Sequence, residues 1–416
     1  RAKRVPSMAT EGTIDDDAAA SDRVGIVGLG RLGLCQALTL ERAGYDVLGC
    51  DVFPAYVDSI NNKTLQSDEP GVVSLLRAST KLRATLSLEA VVDHSDLVMV
   101  VVATPTGIGE HAYDCGTLSR VLEDIGKLGR RDKHVVICCT VLPGYIAQVA
   151  SSLLEGCAGC TVSYNPEFIA QGDILAGLAS PDLVLIGEGS QAAGDRLQAV
   201  HERASSSAPA ICRMSPASAE IAKLALNCFV TTKISFANMI GDIADRTPGA
   251  DKDAILHAVG SDRRVGPACL KAGYGFGGPC FPRDNRALGT YARRRGVEPT
   301  ICDATDEYNK RHAAAMADML LAQELPRYVI RDVAFKPRCP VAIIEESQPL
   351  EVAKRLVQQG KRVTIRDRAD IVCLVRRTYG NLFEYEVDDA GTSGLGHAEP
   401  ACPNVDMGNP GSSYRR

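Results

Sequence analysis

The stretch RVGIVGLGRLG, residues 23–33, places Gly28-Leu29-Gly30-Arg31-Leu32-Gly33 directly after a β-type apolar run, Val24–Val27. An amphipathic helical stretch follows to Ala43 and is stopped by Gly44. The next strand, Val47–Cys50, ends at Asp51, 18 residues after the last glycine of the pattern. Strand, glycine turn and helix in this order bring bare backbone amides and a helix N-terminus to one point, which suits a pyrophosphate. Asp51 can accept hydrogen bonds from ribose hydroxyls, and its charge repels a 2′-phosphate. The pattern therefore predicts a dinucleotide site at residues 28–33 and Asp51, with NAD favoured over NADP.

Apolar strands are expected at Leu97–Val102, His134–Cys138 and Thr161–Tyr164, separated by helical stretches. This alternation predicts an α/β fold with a Rossmann-type, doubly wound parallel sheet over 23–204. Ligands of such sheets lie beyond the strand C-termini. Three short segments fall there: Thr104-Pro105-Thr106, Thr140-Val141-Leu142-Pro143-Gly144 and Asn165-Pro166-Glu167-Phe168. Singly each is ordinary turn chemistry; three on one edge suggest a binding rim.

Composition narrows the classes. A length of 416 residues suggests two or three domains, and a net charge of −5 gives no bulk attraction to nucleic acid. The longest strongly apolar run, Leu97–Ala103, is too short for a bilayer, so no membrane partner is expected. Residues 1–22 carry RAKR and EGTIDDD but no apolar leader, and are expected to be a flexible tail. A cytoplasmic protein with its fifteen cysteines reduced follows. Cys157 and Cys160 form a C-x-x-C with no second pair at zinc spacing, and the seven histidines are scattered, so no metal is expected.

Ser215-Pro216 opens a long helix that nothing interrupts before Thr247-Pro248-Gly249. Its length suggests a dimer seam. Glu220, Lys223 and Asn227 share one stripe, which is either a solvated face or part of a site. Further on, GYGFGGPCFPRD (residues 273–284) holds Cys280 in a loop short of side chains, with Arg283 and Asp284 close behind. Such a cysteine is either an inert thiol in a turn or an activated nucleophile, with the glycines clearing space for a ligand.

The chain resembles the UDP-glucose/GDP-mannose dehydrogenase family. The matching segments are GLGRLG (28–33), EPG (69–71), TPT (104–106), TVLPG (140–144), NPEFIAQG (165–172), EIAKLALNCF (220–229), DRRVG (262–266), GFGGPCFPRD (275–284) and AFKP (334–337), in family order. The resemblance implies NAD-dependent, four-electron oxidation of the C6 alcohol of a nucleotide sugar to the acid. UDP-glucose is the expected substrate, with UDP-glucuronate for polysaccharide biosynthesis as product; GDP-mannose or a UDP-N-acetylhexosamine are the alternatives. It implies Cys280 as the nucleophile that forms a thiohemiacetal and then a thioester. Lys223 and Asn227 are then oxyanion stabilisers, Asp284 and Thr140 hold water, and Glu167 is an acid/base. Thr104, Thr140 and Gln171 join the cofactor contacts. Phe168, Ile169, Ala170 and Gln171 border the sugar. Lys271 with Gly275, Phe276 and Gly277 contributes to substrate binding, as do Phe335 and Lys336, and Arg264 reaches the site of a neighbouring subunit in a homodimer.

The chain also departs from the family pattern. Gln171 stands where Glu is frequent, and Tyr56 where a basic residue is. After AFKP the chain reads RCPVAIIEES, with Glu345 at the approximate place of an arginine. The expected layout is a central helical domain over 205–322, an abridged nucleotide-binding domain over 323–386 and a disordered tail over 387–416. In the third domain a strand is expected at Val341–Ile344, a helix at Leu350–Gln359, a strand at Arg362–Ile365 and another at Ile371–Val375. Two other readings remain: a two-electron dehydrogenase of the 6-phosphogluconate or 3-hydroxyacid type, which needs no cysteine in a glycine loop, and an inactive paralogue.

Overall fold

The computed structural model describes residues 22–107 and 112–388. The expected N-terminal tail lies outside these residues apart from Asp22, as does the C-terminal tail from residue 389; Val387, assigned to that tail, instead ends a strand. The chain forms two units. The first runs to Pro105 and from Tyr113 to Lys223; the second takes residues 106–112 and continues from Leu224. The break falls inside one continuous helix, Pro216–Ala244.

The first unit is an eight-stranded sheet in the order β3-β2-β1-β4-β5-β6-β7-β8. The strands are β1 (Arg23–Val27), β2 (Asp46–Cys50), β3 (Arg83–Thr85), β4 (Leu97–Val100), β5 (His134–Ile137), β6 (Thr161–Tyr164), β7 (Leu183–Gly187) and β8 (Ala210–Met214). β1 to β6 are parallel; β7 meets β6 antiparallel through the single pair Tyr164–Gly187, and β8 is parallel to β7. All four residues of β4 are buried, which is why it reads as an unbroken apolar run. β8 lies beyond the expected boundary at 204: at this sheet edge Ala210 is exposed and the other four residues are half-buried, with Arg213 interrupting the apolar side chains. Strand order reverses between β1 and β4, so their C-terminal ends open a crevice. Gly28 enters it from β1, Asp51 from β2 and Val101 from β4, where Val101 N donates to Val27 O at 2.8 Å.

The second unit combines helices Lys252–Gly260, Phe281–Arg294 and Thr300–Leu321 with a three-stranded parallel sheet, order β11-β10-β9, made of β9 (Arg327–Arg331), β10 (Arg362–Asp367) and β11 (Glu384–Val387). The helix expected at Leu350–Gln359 spans Gln348–Gln358, with Ser347 as its cap through a 3.3 Å bond from Leu350 N. Two expected strands are corrected. Val341–Ile344 is a tight turn in which Ile343 N donates to Val341 O, held against Phe335 N at 2.9 Å; the strand is β9 instead. Ile371–Val375 lies in a helix, Ala369–Tyr379, that buries Ile371, Val372 and Val375. The β-branched run imitates a strand, but the buried positions follow helical spacing, and Asp370 and Arg376/Arg377 suit the two ends of a helix dipole.

The glycines at the crevice carry distinct constraints. Gly28 has φ +95°, and a Cβ there would lie 2.4 Å from Val101 O. A Cβ on Gly33 would lie 1.9 Å from Gly28 O, whereas one on Gly30 would meet nothing within 4 Å. Gly33→Ala is therefore expected to cost about 1–3 kcal/mol through overpacking, and Gly30→Ala well under that. Denaturant unfolding of both variants checks this; equal losses would contradict it.

Candidate active site

In the first unit the glycine turn and Asp51 form one cradle. Asp51 Oδ2 accepts from Leu29 N at 3.1 Å, and Oδ1 from Val52 N at 2.7 Å. The carboxylate is thus oriented by backbone amides at the end of β2. Tyr56, at the position of the family's basic residue, donates its hydroxyl to Leu29 O at 2.9 Å and braces the turn. Leu29 is fully buried and Leu32 packs against the same core, so these two residues act through main chain and packing. Arg31 pairs with Asp68 at 3.0 Å. The open direction at Gly30, the helix N-terminus behind it and the oriented Asp51 carboxylate fit a dinucleotide with free ribose hydroxyls, and they would hold NAD.

The rim segments are tied together beside this cradle. Thr104 Oγ1 donates to Thr140 O at 2.8 Å. Glu69, 2% exposed, accepts from Gly172 N at 2.9 Å and Ile174 N at 2.7 Å, fixing the end of the Phe168–Gln171 segment. Glu220 is fully buried and accepts from Gly144 N at 2.6 Å and Ile146 N at 2.8 Å, which fixes the segment after Thr140. Lys223, one turn on, donates Nζ to Glu167 O at 2.7 Å and lies 4.4 Å from the centre of the Phe168 ring. The stripe is therefore buried polar structure in this unit, not a solvated face. Desolvation pushes the Glu167 carboxyl up, opposed by a hydrogen bond from Gln36 Nε2 at 2.6 Å and by the Lys223 charge. Ile169 is half-buried against the core, Ala170 is exposed and Gln171 is half-buried.

Asn165, at the head of NPEF, is structural. Its Nδ2 donates to Leu185 O at 2.9 Å, and His201 Nε2 sits 2.7 Å from its Oδ1. Burial lowers His201 to about 4, so the ring is neutral and donates to Asn165.

In the second unit Cys280 is exposed as the cap residue at the N-terminus of helix Phe281–Arg294. Asp284, in the first turn of that helix, is 1% exposed. Asn227 Nδ2 donates to its Oδ2 at 2.7 Å and Arg283 Nε to its Oδ1 at 3.2 Å. Three residues expected in the site, Cys280, Asp284 and Asn227, are thus gathered on two helices. The glycines before Cys280 lie where the backbone comes close to the rest of this unit. A Cβ at Gly275 would lie 2.0 Å from Asn309 Oδ1, at Gly277 2.4 Å from Glu346 O, and at Gly278 2.3 Å from Phe335 Cδ2. They are required because the loop is pressed onto protein. Phe276 is fully buried, and Gly278 N donates to Glu345 O at 2.9 Å, so Glu345 contributes through its backbone. Phe335 packs under the loop, and Lys336 Nζ is 5.7 Å from its ring centre. Lys271 is half-buried at the loop entrance. Arg264 stands apart, 88% exposed and paired with Asp262 at 2.7 Å.

Several residues that build these sites were not singled out in the sequence. Gln36 is a lone polar residue in the run GLCQALTL, and Glu69 sits in EPG, matched but without a role. Each is recognisable only from its partner, more than a hundred residues away.

The NAD-binding domain of the UDP-glucose/GDP-mannose dehydrogenase family matches residues 22–205, and its central domain residues 217–311. GDP-mannose 6-dehydrogenase of Pseudomonas syringae pv. tomato is 32% identical over 361 residues, 83% of this chain and 80% of that protein. UDP-glucose 6-dehydrogenase of Haloferax volcanii is 30% identical over 330 residues, 75% of this chain and 76% of that protein. A solved UDP-glucose dehydrogenase from Pyrobaculum islandicum superposes with a TM-score of 0.79 at 30% identity, covering 88% of this chain and 86% of that one. With the NAD cradle and these matches together, the chain belongs to the UDP-glucose/GDP-mannose dehydrogenase family of NAD-dependent nucleotide-sugar 6-dehydrogenases.

Proposed function

We propose that this protein oxidises the C6 alcohol of a nucleotide sugar to the carboxylate through a covalent intermediate on Cys280. One observation carries the reading: an exposed thiol at a helix N-terminus, with a buried Asn227–Asp284 pair one turn behind it. A helix N-terminus favours the thiolate, the nucleophilic form. Bound NAD supplies the hydride acceptor for each of the two oxidations. Cys280 Sγ adds to the aldehyde carbon and keeps the aldehyde from escaping; after the second oxidation the same sulfur holds the acyl group as a thioester. Lys223 and Asn227 stabilise the oxygen of these tetrahedral states. Thr140 and Asp284 hold the attacking water, Glu167 takes its proton, and Cys280 leaves as thiolate. UDP-glucose is the substrate we favour on the sequence motifs; the Pseudomonas relatives make GDP-mannose the alternative.

The long helix supports the dimer reading. Leu226, Phe229, Phe236, Met239 and Ile243 are between 38% and 68% exposed at three-, four- and seven-residue spacings, an apolar stripe of the kind that pairs with its own copy. Arg264, exposed on its loop, would reach the partner's substrate.

Turnover on UDP-glucose and on GDP-mannose should yield two NADH per acid formed, on one of them at least tenfold faster. Cys280→Ser should lose acid formation by more than a hundredfold and retain NAD affinity, read by calorimetry. Acid formation by that variant at the wild-type rate would make the cysteine structural.

A pH effect follows from Glu167. As a base it works when ionised, so the rate should fall as pH drops through its raised pKa. The Gln36 hydrogen bond lowers that pKa, so Gln36→Leu should move the acid limb of kcat to higher pH. An unmoved limb would take Glu167 out of this role. For the dimer, sedimentation at micromolar concentration should give twice the chain mass, and Phe229→Asp with Phe236→Asp should give monomers; a dimer surviving both changes would place the seam elsewhere.

A further inference from the structure

The loop that carries Cys280 is held at its other end by side chains of two helices. Asn238 Oδ1 accepts from Gly273 N at 2.9 Å, and Asn309 clasps Phe276, accepting from its N at 3.0 Å and donating to its O at 2.9 Å. The third anchor is His312. Its Nε2 lies 2.7 Å from Gly273 O, and its Nδ1 lies 3.1 Å from Asp242 Oδ2. The ring is 6% exposed and stacks on Tyr308 with centroids 5.9 Å apart. Tyr308 Oη donates to the same Asp242 oxygen at 2.5 Å.

Both partners of His312 are acceptors. A carbonyl oxygen has no proton to give, and the Asp242 carboxyl is held below the usual carboxylate range, with the His312 and Tyr308 hydrogen bonds outweighing its desolvation. A neutral imidazole donates from one nitrogen and turns a lone pair outward from the other. In the neutral state one of the two short contacts would face lone pair to lone pair, in a place with almost no water. The arrangement is satisfied when both nitrogens carry a proton. The charged and titratable groups around the ring are Asp242, with Arg246 Nη1 3.9 Å behind it, on the long helix and Tyr308 on its own helix; the loop presents the Gly273 carbonyl.

We propose that His312 is a positioning residue for this enzyme: donating from both ring nitrogens, it ties Asp242 to the Gly273 carbonyl and so pins the glycine loop that presents Cys280. That Cys280 reacts rests on the function proposed above; the hold on the loop does not.

Amide hydrogen exchange of the full chain reads this directly, because Gly273, Phe276 and Gly278 each donate their N–H within the loop's anchorage. At one fixed pH, protection at these amides in His312→Ala should be about tenfold below wild type, the scale of one charge-assisted hydrogen bond. In His312→Gln, which keeps one neutral donor, protection should be intermediate. Asp242→Asn, which weakens one of the two acceptors of the ring, should lower it less than His312→Ala. With substrate, His312→Gln should lower kcat and leave the KM for NAD unchanged. Wild-type protection at these amides in His312→Ala would overturn the proposal, as would a loss spread evenly over the amides of the second unit, which is what a purely structural role would give. If the exchange behaves as expected while Cys280→Ser stays active, the loop anchor stands and the Cys280 mechanism falls.

Discussion

The long helix Pro216–Ala244 buries a row of polar side chains, and much of the structure around it supplies them with partners, though Ser235 Oγ is left without one. Glu220, Lys223, Asn227, Thr231 and Asn238 are each less than a tenth exposed. An unsatisfied buried polar group costs about 1–3 kcal/mol, more for a charge, so five of them left unpaired would cost about as much as the whole stability of an ordinary domain. Each is satisfied. Within the first unit Glu220 takes two loop amides and Lys223 a carbonyl; within the second, Asn227 holds Asp284, Thr231 bonds to Cys228 O, and Asn238 holds the glycine loop. The same bonds that make the helix tolerable in a core fix the segments around it.

That economy explains why structural and chemical roles are hard to separate here. Lys223 is anchored by the backbone of Glu167 and by the face of Phe168, so its ammonium is both a packing element and a positioned charge. Asp284 is buried against Asn227 and Arg283, and its main chain closes the first helical turn after Cys280. A loop that must present one thiol at a reproducible place is built by removing side chains wherever the backbone touches protein, which is what Gly275, Gly277 and Gly278 do. The anchors of that loop come from helices far along the chain, at Asn238, Asn309 and His312.

The part of the chain least like its relatives keeps a simple frame. Three parallel strands, β9 to β11, are covered by the helices Gln348–Gln358 and Ala369–Tyr379, with one continuous core. The misread segments there share a cause. Val341–Ile344 and Ile371–Val375 are short β-branched runs, and such runs mark burial more surely than they mark strand. Burial was right in both: Val341, Ile371 and Val375 are fully buried. Conformation depended on neighbours the local pattern does not encode.

Sequence alone determined what is local. The glycine pattern, the acid at the end of the second strand, the proline-led start of the long helix and the cysteine in its glycine loop depend on backbone freedom and on residues a few positions apart, so spacing reveals them. Of the outer strands, β3 is three residues long and β8 is mostly half-buried with Arg213 in it, so neither stands out; β7, LVLIG, is a buried apolar run that was not singled out. Tertiary structure decided whether the stripe Glu220–Lys223–Asn227 met water or partners, since that turns on what packs over it. It also decided the purpose of the loop glycines, the pairing of Gln36 with Glu167, and the relay from Asp242 through His312 to Gly273. Each of these joins residues from 34 (Gly275 and Asn309) to 131 positions apart, and a contact at that separation leaves no periodicity in a single sequence from which to read it.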